Sequence, residues 1–121
     1  MNDDIKKTSL YDYHKENSNN VINFSGFLLP VFYTSILEEH QAVRNHAGLF
    51  DVSHMGQIFI SGSYSEKFLQ MVTTNDVSKL KKGQAQYSAI CNKEGGIIDD
   101  IIVYKRESDY MLVVNASGID K

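Results

Sequence analysis

Apolar and polar residues alternate from Val21 to Phe27, the pattern of a half-buried strand. Gly26 inside it predicts a bulge or a close backbone approach. Pro30, the only proline, limits that strand or fixes the following turn. Upstream, Leu10, Tyr11, Tyr13 and His14 begin a short helical pattern, closed by the loop-forming run Asn17-Ser18-Asn19-Asn20. Residues 1–8 are polar and are expected to fray. Ser35 and Glu38 form a capping box, and Ile36, Leu37, His40, Val43 and Ala47 follow at helical spacing. Gly48 is placed to end that helix as a left-handed cap. Leu49 to Val52 is a short apolar run, and Gln57 to Ser61 alternates like a strand. A second capping box, Ser63 to Glu66, predicts a helix with Phe68, Leu69 and Val72 on one face. Thr73 to Asp76 reads as a loop.

Three strands then follow at hairpin spacing: Gln84–Cys91, Ile97–Lys105 and Tyr110–Asn115. Glu94-Gly95-Gly96 and Glu107-Ser108-Asp109 supply the turns, giving an antiparallel meander. About three helices and six strands, mixed rather than alternating, indicate an α+β fold. No internal repeat is evident. The last strand is expected to form an open edge, which proteins usually cover. Ser117 to Lys121 resembles the approach to a further helix. The chain therefore reads as incomplete: a frayed segment 1–8, then residues 9–121 as the first part of a domain.

Composition adds limits. Apolar residues make up 42% and charged residues 22%, as in a soluble globular protein. A net charge of −3 lacks the basic footprint of a nucleic-acid binder. Lys79, Lys81 and Lys82 form the densest basic cluster and read as a solvated loop. The single cysteine, Cys91, cannot form a disulfide within the chain, argues against a cysteine-based metal site and suits a reducing compartment. No run approaches the ~18 apolar residues of a membrane span. No signal peptide or transit peptide is visible. The expectation is a cytoplasmic protein with no membrane or nucleic-acid partner, or a mitochondrial matrix protein if the source is eukaryotic.

Candidate chemistry centres on Asp99-Asp100, two carboxylates inside the apolar run Ile97 to Val103. Neighbours in a strand point to opposite faces, so one faces solvent and the other the core side or a cavity. A carboxylate on an apolar face is costly unless paired or hydrogen-bonded, and a cationic or protonated ligand would offset that cost. The residues alone fit an edge strand or tight turn with both aspartates solvated at least as well. Asp51, Ser53 and His54 lie close in sequence, but a nucleophilic triad is set by geometry in space. His40, His46 and His54 read as structural and His14 as a surface residue; no metal site is expected. Gly95-Gly96 fits hairpin chemistry better than a phosphate loop. Tyr87, Tyr104 and Tyr110 fall on strands, where they serve either as core or as a platform for a planar ligand.

A series of segments resembles the glycine cleavage system T proteins. They are Phe24-Ser25-Gly26-Phe27, Leu29-Pro30, Tyr33-Thr34-Ser35-Ile36, Glu38-Glu39-His40 and Ala42-Val43-Arg44. Ala47-Gly48-Leu49-Phe50-Asp51-Val52-Ser53-His54-Met55-Gly56 is the longest. Thr74-Asn75-Asp76-Val77, Gly83-Gln84-Ala85, Tyr87-Ser88 and Cys91-Asn92 follow. Gly95-Gly96-Ile97-Ile98-Asp99-Asp100, Val103-Tyr104-Lys105 and Val113-Val114-Asn115-Ala116 complete it. The similarity runs from about residue 7 to residue 121, in family order and spacing. The family commonly has Phe-Ala-Gly-Trp and Glu-Met-Pro near the start, where this chain has Ser25, Phe27, Leu28 and Leu29 and no tryptophan.

The resemblance implies the first part of the folate-binding domain of a three-domain fold. It implies a tetrahydrofolate-dependent aminomethyltransferase, with tetrahydrofolate as co-substrate and no metal. The one-carbon unit passes from the aminomethylated dihydrolipoyl arm of the H protein to the folate, with release of ammonia. Lipoylated H protein is then the direct partner, with functional association to the P and L proteins. Residue by residue, the resemblance assigns the catalytic acid to Asp100 and folate contacts to Met55, Tyr87, Asp100 and Asn115. Other readings are a folate domain of the dimethylglycine or sarcosine dehydrogenase type, a folate-binding iron–sulfur assembly factor, and an inactive truncated product.

Overall fold

The computed structural model describes residues 5–120, which fall into two units, one ending at His54 and one beginning at Met55. The first unit is built on a hairpin. β2 (Val21–Phe24) and β3 (Phe27–Pro30) pair antiparallel, with Phe24 opposite Phe27. The long strand expected from Val21 to Phe27 is therefore two strands. Ser25 and Gly26 both have positive φ, +50° and +85°, and two such residues in succession reverse the chain. Asn23 Oδ1 accepts from the Gly26 N–H at 3.0 Å and holds the turn. Gly26 is thus a turn residue and not a bulge.

β1 (Lys6–Lys7) runs parallel to β3, Lys6 opposite Phe27. Lys6 and Lys7, expected to fray, are paired; residues 1–4 lie outside the described residues. α1 (Tyr11–Asn17) matches the expected short helix, and α2 (Ile36–Asn45) starts where the capping box predicts, with Ser35 Oγ accepting from Glu38 N at 3.2 Å. α2 ends at His46, whose N–H donates to Ala42 O at 2.8 Å. Gly48 is not the left-handed cap: positive φ occurs elsewhere. Its lack of a side chain instead gives room, since an added Cβ would lie 2.5 Å from Val43 Cγ2. Among the described residues of this unit, Leu29 is the only buried hydrophobic side chain, and Thr8, His14 and Ser18 are buried polar ones.

The second unit is a four-stranded antiparallel sheet, in the order β4 (Gly56–Ser61), β7 (Asp109–Val114), β6 (Ile97–Lys105), β5 (Ala85–Cys91). The meander β5–β6–β7 forms as expected. The last strand, however, is not an edge, because β4 returns to pair with it along its whole length, Gly56 opposite Val114 and Ser61 opposite Asp109. That long-range pairing leaves no local sequence signal.

One face of this sheet is covered by α3 (Ser65–Val72) and a 3₁₀ turn at Val77–Lys79. Leu69, Val77, Leu80, Ile101, Val103, Tyr110, Leu112 and Val114 make the core there. Each such side chain contributes about 1.5–3 kcal/mol on full burial. The second capping box does not form, since Tyr64 occupies the N-cap position and no side chain caps the helix. Glu66 turns instead to Lys105 Nζ at 3.1 Å and the Tyr110 hydroxyl at 2.8 Å. No helix among the described residues is long and apolar enough to cross a membrane.

Candidate functional site

The alternation of β6 separates its two aspartates. Asp99 shares a face with Ile101 and Val103, the core side, and Asp100 shares the opposite face with Ile102 and Tyr104. A break in register helps to aim them. Ile90 pairs with Asp99 but Cys91 pairs with Ile97, so Ile98 is an extra residue in β6. Bulges of this kind re-aim side chains beside functional sites.

The outer face brings together Tyr87, Asp100 and Asn115. Asp100 lies opposite Ala89 of β5, and Tyr87 is two residues along on the same face. The Tyr87 hydroxyl donates to Asp100 Oδ2 at 3.1 Å. Asn115 follows β7 directly, and its Nδ2 donates to the other oxygen, Asp100 Oδ1, at 2.9 Å. The hydrogen bond to the Asp100 carboxylate, then its charge, then burial hold the Tyr87 hydroxyl above its ordinary pKa, so it stays a donor. Met55 immediately precedes Gly56, the partner of Val114. Met55 and Asn115 therefore lie at the same end of the β4–β7 pair.

Tyr87 is 66% exposed, so it is not a core residue. Tyr104 is half-buried on the same face, and Tyr110 is buried in the core, where it bonds Glu66. Asp99 is half-buried and satisfied by Asn115, whose N–H donates to Oδ2 at 3.0 Å and whose Nδ2 donates to Oδ1 at 2.9 Å. Gly95, with φ of +82°, serves the hairpin turn after Asn92. Lys79 and Lys82 are exposed and paired with Asp76 and Glu107.

The first unit holds a cluster that sequence reading missed. His14, expected on the surface, is 1% exposed. Its Nε2 lies 2.7 Å from Asp51 Oδ2 and its Nδ1 2.6 Å from the Tyr33 hydroxyl. Asp51 Oδ1 accepts from Ser53 N at 2.9 Å and from Ser53 Oγ at 2.6 Å. Burial alone would raise the Asp51 carboxyl, but the hydrogen bonds from Ser53 and His14 outweigh it and hold the group below the usual carboxylate range. His14, Tyr33 and Asp51 line a cavity of about 690 Å³ in this unit, with Leu29, Val43 and Phe50 among its apolar walls.

The local Asp-Ser-His series is therefore no triad. The histidine on Asp51 is His14, and Ser53 reaches the carboxylate rather than an imidazole. His54 is set edge-on to Phe24 and Phe27, at 5.8 and 6.2 Å between ring centres. His40 and His46 are exposed. Among the described residues, no group of three or more histidine, cysteine, aspartate or glutamate side chains is arranged to hold a metal ion. The one signal for His14 was its place in a helix otherwise rich in polar residues, which does not reveal a partner 37 positions away.

Comparison with known proteins gives consistent matches. Residues 10–121 match the family model described as the GCVT N-terminal domain. An aminomethyltransferase of Bacillus licheniformis is 56% identical over 118 residues, 97% of this chain and 32% of that protein. One of Halalkalibacterium halodurans is 52% identical over 119 residues, 98% of this chain and 33% of that protein. The crystal structure of glycine cleavage system aminomethyltransferase T from Bartonella henselae superimposes with a TM-score of 0.88 at 36% identity, covering 96% of this chain and 33% of that one. The chain thus spans about a third of the length of the relatives it matches.

Proposed function

The chain belongs to the GCVT N-terminal domain family, and from that premise we propose that it supplies the acidic, folate-facing part of an aminomethyltransferase of the glycine cleavage system. The observation that carries this reading is the Asp100 carboxylate, fixed on an exposed sheet face between two donors, Tyr87 on one oxygen and Asn115 on the other. An ionised carboxylate offers about four lone-pair sites, so two donors leave capacity for a ligand N–H. Among the described residues no lysine or arginine forms an ion pair with Asp99 or Asp100. Their negative charge is then available to positive charge that develops on a reacting amine, and is not neutralised by an ion pair with the protein's own cations.

Tetrahydrofolate is the proposed co-substrate. Its amine must lose a proton as it bonds to the methylene carbon of the aminomethylated dihydrolipoyl arm. Asp100 accepts that proton or holds the charge as it forms; a second folate nitrogen then bonds to the same carbon, so that two new C–N bonds replace the carbon's bonds to the amino nitrogen and the lipoyl sulfur, and the two protons given up by the folate leave on ammonia and on the thiol of the reduced arm. The exposed ring of Tyr87 provides a flat apolar surface beside the carboxylate for a pteridine, and Met55, at the end of the neighbouring strand pair, provides another apolar contact. Lipoylated H protein is the proposed donor partner, with the P and L proteins in the same system. The matched relatives carry the aminomethyltransferase name, which favours this reading over a flavin-linked dehydrogenase domain or an assembly factor.

The test is a titration of tetrahydrofolate into a full-length aminomethyltransferase carrying this chain as its first third, with Tyr87→Ala as the comparison. Weaker folate binding with an unchanged melting temperature supports the assignment. Equal affinity in the two proteins contradicts it.

A further inference from the structure

We infer that Asp99 is a positioning residue for Asp100, acting by holding the Asn115 side-chain amide in one orientation, and that Gly118 keeps open the space its carboxylate needs. The inference rests on the reading of Asp100 given above. Asp99 faces the core side of the sheet, where a carboxylate is costly unless it is hydrogen-bonded. Both of its hydrogen bonds come from one residue. Oδ2 takes the Asn115 backbone N–H at 3.0 Å and Oδ1 takes Asn115 Nδ2 at 2.9 Å. Backbone and side chain of Asn115 are thereby fixed by a single clamp.

The same Nδ2 also lies 2.9 Å from Asp100 Oδ1 and 3.2 Å from the Asp100 carbonyl oxygen. Every group around it is an acceptor, and only the NH₂ end of an amide can meet two carboxylates and a carbonyl. Asp99 therefore acts together with the acceptors of Asp100 in keeping the NH₂ end of Asn115 toward Asp100, and it alone also holds the Asn115 backbone. With Asn at position 99, its NH₂ group would face either the Asn115 NH₂ or the Asn115 backbone N–H, donor against donor in both cases. Turning the Asn115 amide over would relieve the first conflict but set its oxygen against the Asp100 carboxylate.

Gly118 completes the arrangement. A short 3₁₀ turn over Ala116–Gly118 brings it back, with Gly118 N donating to Asn115 O at 2.9 Å. A Cβ added to Gly118 would fall on Asp99 Oδ2, with Asp99 Cγ only 2.8 Å away. The Gly118 φ lies outside the left-handed region, so the glycine serves space and not backbone conformation. The Asp99 carboxylate cannot retreat without losing the Asn115 N–H.

The experiment uses a full-length aminomethyltransferase carrying this chain as its first third. Asp99→Asn, Gly118→Ala, Asn115→Ala, Asp100→Asn and the double variant Asp99→Asn/Asn115→Ala are compared for kcat, KM for tetrahydrofolate and melting temperature. Displacement of a reacting group by about 1 Å costs on the order of 100-fold in rate. Asp99→Asn and Gly118→Ala are expected to lower kcat by roughly 10- to 100-fold with a smaller change in KM. In the Asn115→Ala background, Asp99→Asn is expected to add less than about a 2-fold loss, since its route to Asp100 is already gone. A merely structural Asp99 would lower the melting temperature and leave kcat of the folded fraction unchanged, which overturns the inference. So does an equal kcat loss with and without Asn115. If Asp99→Asn does not fold, Gly118→Ala carries the same comparison. Normal turnover in Asp100→Asn refutes the functional reading itself; a dead Asp100→Asn beside a normal Asp99→Asn and Gly118→Ala refutes only the present inference.

Discussion

The Tyr87 hydroxyl and the Asp100 carboxylate meet at 3.1 Å across the β5–β6 pair without being register partners, since Tyr87 stands opposite Ile102 and Asp100 opposite Ala89. Diagonal neighbours on one sheet face lie within reach of a long aromatic side chain. The tyrosine thus leans along the strand over an otherwise open face and leaves its ring uncovered.

That exposure separates binding from stability at position 87. A buried aromatic loses about 3–5 kcal/mol on truncation to alanine. Tyr87, 66% exposed, is expected to lose less than about 1 kcal/mol. Tyr87→Phe is expected to retain the ring contact with a folate and lose only the hydrogen bond to Asp100. Urea unfolding and folate titration of the two variants check both statements; a loss above about 3 kcal/mol in Tyr87→Ala would mark the residue as core.

The first unit is predicted to depend on its buried polar pair. The His14 and Asp51 side chains are 1% and 5% exposed, and Leu29 is the only buried hydrophobic described around them. Removing one partner of a buried pair costs about 3–5 kcal/mol, because the other is left unpaired. His14→Ala is therefore expected to raise hydrogen exchange across α1 and residues 49–54. Unchanged protection there would show that the pair is dispensable.

A pH dependence follows from the same carboxylate. The folded-state pKa of Asp51 is depressed by its hydrogen bonds, against the opposing effect of burial. Its stabilisation is present above the unfolded value of about 3.9 and is lost as pH falls through the lower folded value. An acid titration followed by NMR of His14 and Ser53 is expected to show the first unit loosening only below the ordinary carboxylate range. Asp51→Asn is expected to flatten that dependence.

Much of this architecture is legible in the sequence, and the exceptions share a cause. The meander, α1 and the Ser35 cap are local, set by alternation, helical spacing and a side chain three residues from its acceptor N–H. The opposite facing of Asp99 and Asp100 follows from strand alternation alone. The pairing of β4 with β7, the turn at Ser25-Gly26 and the burial of His14 were missed. The first and third depend on contacts far apart in the chain. In the second, an apolar–polar alternation continued through the hairpin and concealed it. Glu66 matched a capping box, yet its tertiary partners, Lys105 and Tyr110, claim it instead.

Gly56 gives a test of the second unit that is independent of chemistry. A Cβ there would lie 2.7 Å from both Val114 Cγ2 and Ile119 Cγ1. Gly56→Ala is expected to cost about 1–3 kcal/mol by overpacking, measured by chemical denaturation. A neutral result would mean that Ile119 is free to move aside.

Turnover by Asp100→Asn in a full-length aminomethyltransferase carrying this chain as its first third tests the role of this carboxylate. Asparagine keeps the shape of aspartate and cannot act as a base. The measurement is formation of methylenetetrahydrofolate from aminomethylated H protein, with a thermal melt of the same sample. The rate is expected to fall by ~10²–10⁴-fold, the usual contribution of a general base, at an unchanged melting temperature. Near-normal turnover in Asp100→Asn would contradict it.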